Sequence, residues 1–282
     1  MKHPRLALDD FQALDMQSKW NAEKFFFDIE TPHALSQLAG YAKYSLSEFG
    51  PVYFRGQSKH YGEMRPSLFR GIERSGTGDA RVRQLQDYIK LQAKENSIFI
   101  TNTPENAYEP ILQHYGFKTR WIDIVDNIWS SLWFACHKAT TAGKYGQYLH
   151  FEENDNEYCF IYLMQFGNEA RKIGAGHIKT STGMNVIDLR TAAPSMYLRP
   201  HSQHGLLARA SIIDDTTINY QNYIVLTLRI KTTKALKWLG QTPLTQTHFM
   251  FPPATVDQGY QVFLDKKMPT HDILGCIHYI GT

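Results

Sequence analysis

Cysteine is scarce in this chain, with three in 282 residues: Cys136, Cys159 and Cys276. Their number is odd, they lie far apart, and each sits in an apolar run. That excludes a disulfide framework or a zinc ribbon and predicts three reduced core thiols. No apolar run approaches the roughly 18 residues of a membrane span. The opening stretch MKHPRLALDDFQ lacks the apolar core of a secretory signal. Both absences predict a soluble, cytoplasmic protein with no membrane partner. An excess of one charge is also missing: the net charge is +3, which argues against wholesale coating of nucleic acid while leaving room for a local basic patch. Nothing matches a P-loop, a G-x-S-x-G elbow or H-E-x-x-H. GAGHIK at 174–179 has two of the three Rossmann glycines. SGTGD at 75–79 precedes a helix, but Asp79 at its cap would repel phosphate. His201 and His204 in HSQH have a ligand-like spacing without evident partners, so no metal site is expected.

Apolar residues make up 43% and charged residues 20%, a globular balance. TPHALSQLAGYAKYSLSEF predicts a helix with Thr31 as cap, Pro32 in the first turn, and Leu35, Leu38, Ala42 and Leu46 on one face. PVYFRG predicts a short strand ending at Gly56. RSGTGDARVRQLQDYIKLQAK predicts a loop, then a helix capped by Asp79 with Val82, Leu85 and Ile89 as its stripe. Gly116 marks a turn, with His114 and Tyr115 in a loop before it. A helix follows from about Asn127, with Ile128, Leu132 and Ala135 on one face, continued by Trp129, Trp133 and Cys136. YCFIYLM, MNVIDL, ASIIDD, NYIVLTLRI and GCIHYIG predict strands. TTKALKWLG predicts a short helix stopped by Gly240. Helices fall mostly in the first half and strands in the second. The expected fold is α+β, a single domain with a mixed or antiparallel sheet flanked by helices. Residues 1–34 are expected to be an arm packed on the body, 35–265 the main domain, and 266–282 a last strand completing it.

Three segments carry unusual chemistry: Tyr53-Phe54-Arg55-Gly56-Gln57 with Arg65-Pro66-Ser67-Leu68-Phe69-Arg70; Gln113-His114-Tyr115-Gly116-Phe117-Lys118-Thr119-Arg120-Trp121-Ile122-Asp123; and Leu198-Arg199-Pro200-His201-Ser202-Gln203-His204-Gly205-Leu206. Together they resemble the FRG domain family, named for the Phe-Arg-Gly at 54–56. The family's Gln-His-Tyr-Gly-x-x-Thr-Arg-x-x-Asp block falls at 113–123. A buried helix ending in Phe134-Ala135 follows, then Arg-x-x-x-Gln-x-Gly at 199–205 and Phe251-Pro252. The chain departs from the pattern in Trp121-Ile122-Asp123-Ile124-Val125, where members often have Leu-Leu-Asp-Trp-Thr, and in Pro253-Ala254, where an acidic residue is usual. The family includes accessory or toxin-like proteins of bacteria and phages, and the resemblance brings no settled mechanism.

Read physically, Arg55 ends a strand beside a glycine that lets a ligand or another backbone come close. It suits either a bidentate phosphate contact or a structural ion pair, for which Asp123 is the candidate partner. His114 offers acid–base chemistry and Tyr115 a stacking face. Asp123 could equally cap the helix that follows. Gathered in one cleft, Arg55, Gly56, Gln57, Thr119, Arg120, Asp123 and Arg199 would bind a nucleotide-type anion, with His114, Gln203 and Tyr115 as catalytic candidates. The aromatic-Arg-Gly strand end is similar to the first NAD-binding element of ADP-ribosyltransferases. That likeness implies NAD as a substrate, not a resident cofactor, a protein or nucleic-acid acceptor, and a role as toxin or phage-defence effector, with Gln203 standing where a glutamate is usual. Two alternatives stay open. One is a nucleic-acid-binding protein or nuclease using Lys59, Arg65, Arg70, Arg74, Arg81 and Arg83, a run interleaved with Glu63, Glu73, Asp79 and Asp87. The other is a non-catalytic nucleotide sensor or partner-binding module.

Overall fold

The computed structural model describes residues 6, 8, 11–72, 77–99, 102–211 and 219–281. Ten strands form one sheet. They are β1 (Lys19–Asn21), β2 (Phe26–Ile29), β3 (Val52–Gln57), β4 (Ile122–Val125), β7 (Tyr158–Gln165), β8 (Glu169–Gly174), β9 (His177–Thr180), β10 (Met184–Asp188), β11 (Gly205–Ala210) and β12 (Ile224–Lys231). Their spatial order is β1-β2-β12-β7-β3-β4-β11-β10-β9-β8. All neighbours run antiparallel except β2 and β12, which are parallel. A smaller sheet joins β5 (His137–Ala142), β6 (Tyr148–Glu153) and β13 (Tyr279–Ile280). The fold is α+β in a single domain, as expected, and residues before 35 contribute two strands to the main sheet.

Helix α1 (Pro32–Ser45) begins as its sequence predicts: the Thr31 hydroxyl accepts from the Ala34 N–H. Leu35, Leu38 and Ala42 are fully buried, which is the packing an i, i+3, i+7 stripe produces. Helix α2 (Thr77–Glu95) starts two residues before Asp79, so Asp79 lies in its first turn and does not cap it. Its stripe of Val82, Leu85 and Ile89 is buried. Helix α3 (Glu105–Tyr115) extends through His114 and Tyr115, which are its last turn rather than a loop. Gly116 follows at φ 123°, a left-handed stop that glycine accepts without a Cβ penalty. Asn127 caps α4 (Ile128–Cys136), where Leu132, Trp133, Ala135 and Cys136 are buried while Trp129 stands 42% exposed instead of continuing the apolar face.

Five further α-helices follow among the described residues: α5 (Leu189–Ala192), α6 (Leu198–Gln203), α7 (Thr232–Leu239, ended by Gly240), α8 (Thr247–Met250) and α9 (Gln258–Asp265). GCIHYIG yields only the two-residue β13. The strand expected at ASIIDD ends at Ala210, and residues 212–215 lie outside the described residues, as do Glu73, Arg74, Ser75 and Gly76.

One face of the sheet carries the helices. Phe54, Val125, Leu163 and Leu228 pack there with α1, α4 and α7, and Ile187 and Leu207 pack with α2, α3 and α9. The opposite face holds Tyr53, Ile122, Ile124, Tyr162 and Met164, joined by Met64. The segment after β3 passes from one face to the other, because Met64 belongs to the second core and Leu68 and Phe69 to the first.

Candidate functional site

The site begins where two neighbouring strands part. β3 and β4 share one register pair, Phe54 with Val125, and then splay. A splay strips backbone carbonyls of ladder partners. Arg55 fills this role: its guanidinium donates to the Asp123 carbonyl at 2.5 Å. The Asp123 carboxylate is further off, at 3.7 Å, and half exposed. Asp123 is therefore a β4 residue, not a helix cap. Burial pushes the Arg55 guanidinium below its ordinary value, Asp123 opposes this, and the nearby Arg70 adds to it. The side chain is 15% exposed, and its Nε–H has no partner.

Gly56 serves the fold. A Cβ there would lie 1.9 Å from the Ser131 carbonyl oxygen and 2.7 Å from the Ala135 nitrogen, so the glycine lets α4 rest directly on β3. Of the two close approaches expected at this glycine, the structure uses the backbone one. Gln57 ends β3 opposite Phe160, half-buried.

The second segment is knitted to the first. Gln113 donates to Asp123 Oδ1 at 2.7 Å and accepts from the Thr119 hydroxyl. Thr119 is wholly buried; its N–H donates to Ser67 Oγ at 3.1 Å, and its carbonyl accepts from the Leu68 N–H. Arg120 is committed elsewhere. Its Nε and terminal nitrogen grip Glu109 at 3.1 and 2.5 Å, and its backbone N–H donates to the same carboxylate at 2.9 Å. Burial raises the Glu109 carboxyl, but Arg120 outweighs it and holds the group below its usual range.

The remaining candidates form a buried polar spine behind Asp123. Gln203 donates to the Met250 carbonyl at 2.7 Å, which turns its Oε1 toward His114 Nδ1 at 3.1 Å. An amide oxygen only accepts, so Nδ1 carries the proton and Nε2 keeps the lone pair. That Nε2 is buried without a partner against Gly205, where a Cβ would sit 2.9 Å away. Burial lowers the His114 pKa, with Asp123 and Gln203 opposing. Arg199 is 1% exposed. It donates to the His114 carbonyl at 3.2 Å and lies over the rings of Tyr115 and Tyr260, 4.5 and 4.0 Å from their centres. Such stacking is how a weakly hydrated guanidinium tolerates an aromatic interior. Tyr115 is fully buried, and its hydroxyl donates to Asp257 Oδ2 at 2.7 Å. Arg199 and Gln203 both belong to α6, Gln203 as its last residue.

The three segments thus meet, but as a half-open splay at Arg55, Asp123 and Gln113 that runs inward to His114, Gln203, Arg199 and Tyr115, not as one open cleft. Sequence reasoning missed Glu109 and Asp257. Asp257 caps α9 by accepting from the Tyr260 N–H at 2.9 Å, and an aspartate three residues ahead of a buried tyrosine was the available signal. It also gives the segment after Phe251-Pro252 a buried carboxylate, although Pro253-Ala254 lacks the usual acid. His201 and His204 do not converge: His204 Nδ1 meets Arg190 at 3.2 Å, while His201 Nε2 is buried unpartnered. Among the described residues no three metal-ligating side chains come together.

Two members of the basic run are engaged within the chain. Arg65 pairs with Glu63 at 3.1 Å, and Arg81 donates to the Leu68 carbonyl at 2.9 Å. No helix among the described residues is long and apolar enough to cross a membrane. No curated protein and no solved structure matches the chain. The FRG domain model matches residues 50–144, which take in the Phe-Arg-Gly strand, the Gln-His-Tyr-Gly to Asp123 block and all of α4, while Arg199 and Gln203 lie beyond it. The chain carries an FRG domain at residues 50–144.

Proposed function

We propose that this protein binds a nucleotide-type anion at the β3–β4 splay, with phosphate against Arg55. One observation carries the reading. Arg55 is mostly buried, keeps an unpartnered Nε–H, feels the second charge of Arg70, and has its carboxylate only at 3.7 Å. A guanidinium so placed is poorly compensated, and a phosphate supplies the two parallel acceptors it fits.

NAD is the ligand of this class that the strand-end likeness favours. Transfer chemistry would draw on His114, Gln203 and Tyr115, but all three are buried and held by internal hydrogen bonds. Binding at Arg55 needs no such opening, so nucleotide binding or sensing has more support than turnover. A nuclease reading has less, because Arg65 and Arg81 are already engaged. A toxin or defence role rests on the family resemblance.

The test is calorimetric titration of the full chain with NAD, ADP-ribose and pyrophosphate, with nicotinamide release measured in parallel. Arg55→Lys keeps the charge and loses the fork; binding is expected to weaken at least about tenfold. Arg70→Ala, at an exposed position, should weaken it by a smaller factor, roughly threefold. No binding at millimolar ligand, or binding indifferent to both variants, refutes the proposal. Release of nicotinamide that depends on Arg55 would establish the NAD-consuming form of it.

A further inference from the structure

We propose a second small-molecule site, in the groove between α1 and the start of α4, built for an anion carried on an aromatic ring. The groove has a volume of about 520 Å³ and is floored by Phe54. Side chains alternate along a strand. Phe54 therefore faces the helices while Arg55 faces the other way, and the two sites lie on opposite sides of β3.

The acceptors of the groove are already used. Both carboxylate oxygens of Asp126 take N–H groups of Arg190, at 3.0 and 2.7 Å. The Asp126 carbonyl accepts from Lys43 Nζ at 3.1 Å. Asn127 Oδ1 accepts from the Trp129 and Ser130 N–H groups at 2.8 and 3.2 Å. His204 Nδ1 lies 3.2 Å from an Arg190 nitrogen. A guanidinium can only donate, so Nδ1 accepts and Nε2 carries the proton.

What remains is a set of donors. Lys43 has used one of its three N–H groups, Asn127 keeps its NH2 group, and His204 keeps Nε2–H. Arg190 is consumed by Asp126 and by Asp188, so it acts as scaffolding. A donor excess calls for an acceptor-rich ligand, a carboxylate or a phosphate. Trp129 supplies the second half of the specificity. It lines the groove and stands 42% exposed on a mostly buried helix, which offers an aromatic face for stacking. An aryl carboxylate and a purine mononucleotide share this chemistry.

The experiment titrates the full chain with indole-3-acetate and with AMP by ligand-observed NMR. Gly40 lines the groove from α1, and a Cβ added there meets nothing within 4 Å. Gly40→Leu therefore sets a bulky side chain at the groove wall with no clash at its Cβ, and helix propensity favours the leucine. The expected result is that one probe or both bind the native chain. Gly40→Leu and Lys43→Gln should each weaken binding at least about tenfold, with Tm not lowered in Gly40→Leu. Which probe binds tighter identifies the source of the anion. The proposal is overturned if neither probe binds at millimolar concentration, or if binding survives Gly40→Leu. AMP binding that Arg55→Lys abolishes and Gly40→Leu leaves intact belongs to the splay and also overturns it.

Discussion

Replacing Gly56 with alanine adds one methyl group where the structure has no space. The new Cβ would stand 1.9 Å from the Ser131 carbonyl oxygen and 2.7 Å from the Ala135 nitrogen, one turn of α4. Both neighbours are backbone, so no rotamer change relieves the clash. Reaching ordinary contact near 3.3 Å needs α4 to move by roughly 1.4 Å. Overpacking a core costs about 1–3 kcal/mol where side chains can adjust. Here the helix itself must lift, and Leu132, Ala135 and Cys136, all fully buried, lose contact with β3. We expect a loss of about 3 kcal/mol or more, a large share of the roughly 5–15 kcal/mol that keeps a domain folded. Urea unfolding followed by circular dichroism measures it. Gly40→Ala is the internal control: nothing lies within 4 Å of its Cβ, so the same chemical change should stabilise by about 1 kcal/mol. A Gly56→Ala protein within about 1 kcal/mol of the native chain, with an unchanged urea slope, would refute the claim that α4 rests on this glycine.

Two further predictions concern buried charge. Glu109→Gln leaves Arg120 buried without its carboxylate and should cost roughly 3–5 kcal/mol near neutral pH. Because the Glu109 carboxyl is held below its usual range, its contribution is present above the unfolded pKa near 4.3 and is lost as pH falls through the folded value, so the variant should flatten acid unfolding below about pH 4.5. His278 is the opposite kind of group: burial, with help from Arg199, pushes it down to about 4. The unfolded chain takes up its proton first, so stability should fall between about pH 6.5 and pH 4 by up to about 3 kcal/mol. Unfolding curves for His278→Asn across that window should show a shallower slope, and an unchanged slope would count against a neutral, partly buried imidazole.

Legibility in the sequence followed the strength of local signals. Thr31 with Pro32, Asn127, and Gly240 each have one physical use, and each marks the helix end it predicts. β7, β10 and β12 are buried apolar runs long enough to be read. β4 was harder: Ile122–Val125 is four residues long and contains an aspartate, which mimics a cap. β5, β6 and β8 are mostly exposed, and β9 is only four residues long with polar His177 and Thr180 as its buried ends, so no clear alternation marks them. In α6 a proline and a histidine hide a short helix whose reason to exist is tertiary, the seating of Arg199 among rings. The three motif segments were visible as a set, and they do meet. Their burial was not visible, because residue type says that Arg, His and Gln need partners and does not say whether those partners come from within. Arg120 shows this best: the carboxylate that takes it, Glu109, lies one helix away and outside the motif.

The parallel pairing of β2 with β12 has a consequence for biosynthesis. Asp28 and Arg229, which bridge these strands at 2.6 Å, are separated by 201 residues. At roughly 5–20 residues per second, the ribosome needs about 10–40 s to deliver the second strand after the first. Phe27 and Ile29, almost wholly buried in the finished sheet, wait that long for the strand that pairs with β2, and only α1 and other elements made before β12 can pack on them meanwhile. The nascent β1–β2 hairpin is thus held without its parallel partner for that interval, and the open edge of β2 is where a wrong strand could pair.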